Sequence, residues 1–224
     1  MSKESDKYGY IVGLFSKTQP DVSSELNFGN AYELLVATML AAQCTDKRVN
    51  MVTPALFAAY PTVSDMAKAK EEDILSYIKS VSYPNSKTRH LLQMAKMTVK
   101  DFGGEIPSDI DNLTMLPGVG RKTANVVLAF AFNQAAMPVD THVYRVSHRI
   151  GLVPDSANTP EKVEKELVKH FPKECISKAH HWLLLHGRYI CTARKPHCEK
   201  CALACICDIA NRKSIVDTSI THRP

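Results

Sequence analysis

The sequence predicts an all-α protein. Apolar residues recur at three- and four-residue spacing along most of the chain, no run alternates apolar with polar residues, and no Asn-Gly or Asp-Gly pair marks a β-hairpin. The 224 residues are 45% hydrophobic and 23% charged. That composition excludes collagen-like, low-complexity and wholly disordered chains. Twenty-eight Lys and Arg against 23 Asp and Glu give a formal charge of +5. This permits a nucleic-acid partner without demanding one, because clustering on one face decides.

Taken in order, Tyr8, Ile11, Val12 and Phe15 share a helical face that Pro20 closes. Residues 31–42 are apolar and rich in Ala and Leu, as a buried helix would be. Val49, Val52, Leu56 and Phe57 repeat the stripe up to Tyr60-Pro61. Ile74, Leu75 and Ile78 follow an acidic start, Glu71-Glu72-Asp73, which suits the positive end of a helix. Leu91, Leu92, Met94 and Ala95 belong to another helix, ended by Gly103-Gly104, and Ser108 is the expected N-cap of the next, short one. Residues 123–132 are almost wholly apolar and predict a helix buried on most sides. Thr159-Pro160 opens a helix with Pro at its first position, and residues 177–189 form the last of about ten. The chain after Asn211 lacks a core pattern and is expected to fray.

The first ten residues carry four charges and no apolar segment follows them, so no secretory signal is read there. Residues 34–42 are the longest nearly apolar run, far short of the roughly 20 residues a membrane helix needs. A cytoplasmic protein without a membrane partner is expected. Structural disulfides are rare in that compartment, so the seven cysteines need another account. Cys44 and Cys175 stand alone, whereas Cys191, Cys198, Cys201, Cys205 and Cys207 fall within seventeen residues. Four thiolates at such spacing suit tetrahedral zinc or a 4Fe-4S cube. The spacing matches no common zinc-finger pattern, which favours iron–sulfur. Chemistry alone leaves Cys205 and Cys207 open as the fourth ligand. The intervening loop exposes Arg194 and Lys195, which a closed cluster would stiffen and aim at a phosphate backbone.

A second signal lies in residues 116–124, LPGVGRKTA. Gly118 and Gly120 flank Val119 between a short helix and a long apolar one. Such a turn aims the leading N–H groups of the second helix outward, a ready phosphate site. Arg121 and Lys122 stand where the phosphate would dock. A cation in the first turn meets the wrong end of the helix dipole, which favours the free amine that a Schiff-base nucleophile needs. Eighteen residues on, in VDTHVYR, Asp140 is placed either to cap the helix holding Tyr144 and Val146 or to sit beside Lys122; both roles can coexist. Residues 85–100 hold Lys87, Arg89, Lys96 and Lys100 with no acid.

Residues 116–124, VDTHVYR at 139–145, HHWLLLHGRYIC at 180–191 and the C-x6-C-x2-C-x5-C run occur in that order. Together they resemble the endonuclease III family of the helix-hairpin-helix DNA glycosylases, over nearly the whole chain. The resemblance implies two all-α domains with a DNA cleft between them. One is a six-helix barrel at about residues 24–134, with the hairpin at about 109–130. The other is an iron–sulfur domain built from 1–23 with 135–211, leaving 212–224 as a tail. It implies a monomeric, bifunctional DNA glycosylase and abasic-site lyase that removes oxidised pyrimidines from double-stranded DNA. Lys122 matches the lysine that forms the Schiff base, and Asp140 the aspartate that assists base departure. Cys191, Cys198, Cys201 and Cys207 match the ligands of one 4Fe-4S cluster, which leaves Cys205 spare. Gln43 matches a residue that fills the space left by the extruded base. Tyr83 lies where many members carry a leucine wedge. Further DNA contacts are implied for Leu116, Gly118, Val119, Gly120, Arg121, His142, Arg194 and Lys195.

Overall fold

The structure, a computed structural model, describes residues 3–21 and 24–211; the expected tail at 212–224 lies outside the described residues. Helix α1 spans Lys3–Thr18, α2 Ala31–Ala41, α3 Asp46–Ala59, α4 Val63–Ala67, α5 Glu71–Ile78 and α6 Pro84–Phe102. Then follow α7 Ile110–Met115, α8 Arg121–Phe130, α9 Thr141–Ile150, α10 Pro160–His170 and α11 Ile176–Tyr189. A 3₁₀ turn, Lys173–Cys175, joins α10 to α11, two more, Cys198–Lys200 and Ala204–Ile206, follow α11, and the described residues contain no strand. The fold is all-α. No helix among the described residues is long and apolar enough to cross a membrane.

Local chemistry sets the helix ends. Asn30 accepts a hydrogen bond from the Glu33 N–H at 3.0 Å to start α2, and Thr159 caps α10 with Pro160 at its first position. Gly103, at φ +64°, ends α6 in the left-handed conformation. Two ends differ from expectation. The N-cap of α7 is Asp109, whose carboxylate accepts from the Asn112 N–H at 2.9 Å, while the Ser108 carbonyl accepts from the Gln134 side chain at 2.6 Å. Helix α4 has too few residues to show periodicity; it is set by a reciprocal capping box between Thr62 and Asp65.

The chain divides into two compact units, residues 24–136 and residues 3–21 with 137–211. In the first, α2 packs on α3, α6 and α8, α6 packs on α4 and α5, and α7 pairs with α8. Its core includes the fully buried Leu34, Leu35, Leu40, Leu56, Ile74, Leu91, Met94 and Leu113. In the second, α9 packs on α10 and α11. Trp182 is fully buried there and donates its indole N–H to the Gln19 carbonyl at 3.0 Å. The division falls between Ala136 and Met137, which join different cores.

Candidate functional site

In the 24–136 unit, the turn between α7 and α8 is anchored by apolar burial. Leu116 is 2% exposed, Val119 is 6% exposed, and the Val119 N–H donates to the Leu116 carbonyl at 3.0 Å. These side chains belong to the core, so only their backbone can meet a ligand. Gly118 has φ +79°, and a Cβ there would fall 2.8 Å from the Cβ of His90. Both the dihedral and the space demand glycine. Gly120 differs: it caps α8 at φ −87° with no side-chain bond, and a Cβ there would meet nothing within 4 Å. The start of α8 therefore presents bare backbone outward, flanked by the exposed Arg121 and Lys122. Lys122 makes no side-chain hydrogen bond or ion pair with the described residues.

The same unit holds three non-glycine residues in the left-handed region, Asn133 at φ +52°, Gln43 at φ +55° and Tyr83 at φ +54°, of which the last two share a site. Both are exposed, Tyr83 to 65%. They line one cavity of about 210 Å³ together with Lys87, His90 and Gly118. Bulky residues seldom adopt such dihedrals, and strain of this kind persists where the surroundings enforce it. In the sequence Lys87 is one member of a basic run. The structure buries it to 8% exposure with its ammonium on backbone carbonyls.

In the other unit, Asp140 is the N-cap of α9. One carboxylate oxygen accepts from the N–H groups of His142 at 2.9 Å and Val143 at 2.8 Å, and the other lies 3.0 Å from His142 Nδ1. Burial pushes the Asp140 carboxyl upward. The Val143 N–H, the His142 ring and the charges of His142 and His180 outweigh it and hold the carboxyl below its ordinary range. Asp140 is thus a capping carboxylate kept ionised. Two partners of this arrangement escaped sequence reasoning. His180 is buried, with Nδ1 2.7 Å from the Pro138 carbonyl oxygen. At Gly187 a Cβ would lie 2.9 Å from the Cβ of His142, so glycine on α11 is what lets His142 approach. HHWLLLHGRYIC contains both residues but gives no distance.

Cys191, Cys198, Cys201 and Cys207 line one cavity of about 240 Å³ with Arg149, His186 and Arg194. Cys205 is exposed and is not part of its wall. Burial pushes the Cys201 thiol up, and the charges of Cys207, Cys191 and Cys198 raise it further. Among the described residues, no three His, Cys, Asp or Glu side chains converge as ligands of a single ion. The guanidinium of Arg149 donates to Thr192 O at 2.7 Å, Ala193 O at 2.8 Å and the Cys191 sulfur at 3.5 Å. Arg145 donates to the carbonyls of Cys191 and Gly187. His186 Nε2 lies 3.5 Å from the Cys201 sulfur, and burial pushes its imidazole down to about 4. Arg194 and Lys195 are both exposed on this loop.

Residues 36–173 match the model of the HhH-GPD superfamily of base excision DNA repair proteins. Endonuclease III of Rickettsia felis is 45% identical over 201 residues, covering 90% of this chain and 93% of the relative. Endonuclease III of Escherichia coli is 40% identical over 205 residues, covering 92% and 96%. The chain belongs to the endonuclease III family. Like its relatives, this endonuclease III homologue is an enzyme, a DNA glycosylase of base excision repair. A solved structure of a trapped endonuclease III–DNA covalent intermediate matches with a TM-score of 0.86 at 40% identity, covering 96% of this chain and 99% of that one. A non-covalent endonuclease III–DNA complex matches at 0.85. Gln43, Tyr83, the glycine turn, Lys122 and Asp140 fall inside the superfamily match; the cysteine loop follows it in the chain.

Proposed function

We propose that this endonuclease III homologue excises oxidised pyrimidines from double-stranded DNA and nicks the strand, acting as a monomer. One observation carries the reading furthest: a free, exposed lysine stands in the first turn of the helix after the glycine turn. The Lys122 amine attacks C1′ of the damaged nucleotide. The glycosidic bond breaks, the base leaves with its electron pair and takes up a proton, and the sugar ring opens to an iminium on Lys122. Loss of a C2′ proton then expels the 3′ phosphate by β-elimination. Asp140, held ionised by its cap bonds, stabilises positive charge as the base departs and takes the proton from the lysine. The bare start of α8 and Arg121 receive backbone phosphate, as do Arg194 and Lys195. Gln43 and Tyr83 fill the space that the extruded nucleotide leaves. A covalent endonuclease III–DNA intermediate with an estranged adenine is known for a 40% identical relative, which supports covalent attack on the DNA.

Cys191, Cys198, Cys201 and Cys207 would hold one 4Fe-4S cluster. A cavity of about 240 Å³ walled by four thiols suits a multi-atom group, and donors on the sulfur of Cys191 and beside that of Cys201 suit thiolate ligation. When bound, the cluster supplies a rigid cross-link that orders the loop bearing Arg194 and Lys195.

The test is borohydride trapping on duplex DNA containing an abasic site, followed by excision assays over thymine glycol, oxidised cytosine, uracil and adenine-mismatch substrates. A covalent adduct that disappears in Lys122→Ala is expected, with oxidised pyrimidines preferred. An adduct that persists in Lys122→Ala, or none in the wild type, overturns the mechanism.

A further inference from the structure

The two residues assigned above to the emptied space in the duplex sit on different loops, each with a strained backbone. Four consecutive carbonyls run through the end of α2 into the first loop, and each has a donor. Lys87 Nζ donates to Leu40 O and to Ala42 O, both at 2.7 Å. The Cys44 N–H donates to Ala41 O at 3.0 Å, and Ser82 Oγ to Gln43 O at 2.7 Å. Two side chains from the second loop and the start of α6 therefore tie down the first loop. The backbone N–H of Lys87 donates to Tyr83 O at 3.1 Å, so the residue that grips the Gln43 loop also closes the helical turn beginning at Tyr83.

A lysine that serves phosphate keeps its ammonium in water. Lys87 instead is 8% exposed, with its charge against carbonyls at the C-terminal, negative end of α2. Core packing alone would be served by methionine without burying a charge. The arrangement spends a cation on fixing backbone next to the only two left-handed non-glycine residues that line this cavity. We infer that Lys87 is a positioning residue: its ammonium clips the end of α2 to the start of α6, so that Gln43 and Tyr83 are presented together to the space vacated in the duplex. This rests on the reading of Gln43 and Tyr83 given above.

The test uses the full-length protein and two duplex probes. The first carries a tetrahydrofuran abasic analogue opposite 2-aminopurine, whose fluorescence rises when it leaves the stack and which requires no chemistry. The second carries a natural abasic site, either opposite a nucleotide or opposite a one-nucleotide gap with no opposing base to manage. Lys87→Met is expected to abolish the fluorescence rise and to slow nicking of the paired duplex by about 10- to 100-fold. On the gapped duplex the change should stay within about twofold, because the positioned pair is not needed there. Lys87→Arg should restore most of the loss, since it keeps the cation. Ser82→Ala, which removes the bond to Gln43 O, should show a smaller loss confined to the paired duplex. Equal loss on both duplexes, or an unchanged fluorescence rise in Lys87→Met, overturns the proposal. Should Lys87→Met fail to fold, Ser82→Ala decides: a loss confined to the paired duplex supports the clip, and its absence overturns it. A wild type that nicks neither duplex overturns the proposed lyase activity alone, because the fluorescence arm remains readable.

Discussion

The glycine turn at 116–120 and the cysteine loop at 191–207 are both assigned to DNA, yet different forces hold them. The turn is shaped by apolar burial on either side of a left-handed glycine. Leu116 and Val119 are core residues, and Gly118 leaves no room for a side chain. The cysteine loop has Leu203 as its only fully buried apolar residue and two three-residue 3₁₀ turns as its regular structure. It is shaped by Arg149 and Arg145 donating to its carbonyls and by thiols around a cavity. A backbone surface formed by packing needs no further component. A loop formed by polar cross-links depends on each of them.

Four sets of predictions test that contrast, beginning with the largest effect. Lys122→Ala should lower strand nicking by at least about 1,000-fold. Because Lys122 is exposed and makes no bonds to the described residues, the thermal midpoint should stay put. Asp140→Asn should lower excision by about 100-fold or more while changing stability by less than about 1 kcal/mol, since asparagine caps helices as well as aspartate does. The Asp140 carboxyl lies below its ordinary value. Its contribution to stability is therefore complete above the unfolded value of about 3.9 and is lost as pH falls through the lower folded value. The urea midpoints of wild type and Asp140→Asn should thus converge on acidification; a gap constant with pH would contradict the assigned shift.

The cysteine loop comes second. Cys201→Ser should lose bound iron and become sensitive to proteolysis within 191–207, whereas Cys205→Ser should retain both iron and protection, as read by metal analysis and limited digestion. Equal loss in the two variants would erase the distinction between a cavity thiol and an exposed one. The glycines come third. Gly118→Ala should destabilise by about 2–4 kcal/mol through its dihedral and its collision with His90. Gly120→Ala should cost under about 1 kcal/mol and instead weaken DNA binding, because its Cβ occupies open space that a phosphate would approach. Similar melting losses in both would show that the outward face of the turn is structural. The smallest effect is expected for Lys195→Glu. It should weaken binding by less than about tenfold and reduce the salt slope by about one, with base preference unchanged.

Much of this was legible in the sequence. The helices followed from apolar spacing, Thr159-Pro160 and Gly103 set the ends of α10 and α6, and Asp140 was readable as a cap three residues before Val143. Where local reading failed, the competitor was also local but stronger. A carboxylate at Asp109 took the cap expected of Ser108, and a capping box started α4, which is too short to show a period.

What the sequence determined alone was the chemistry carried by neighbours: helical class, a lysine in a first turn after two glycines, and cysteines at ligand spacing. Spacing left Cys205 and Cys207 undivided. Only the packed chain sends one into solvent and the other onto the cavity wall. Only packing turns Lys87 from a member of a basic run into a buried link to carbonyls 45 and 47 positions away, and brings Gly187 against His142. The physical reason is the same in each case. Caps and periodicity are decided by residues within one or two turns. A buried charge, a close helix approach or the face a thiol adopts depends on groups far apart in the chain that meet only when the core forms.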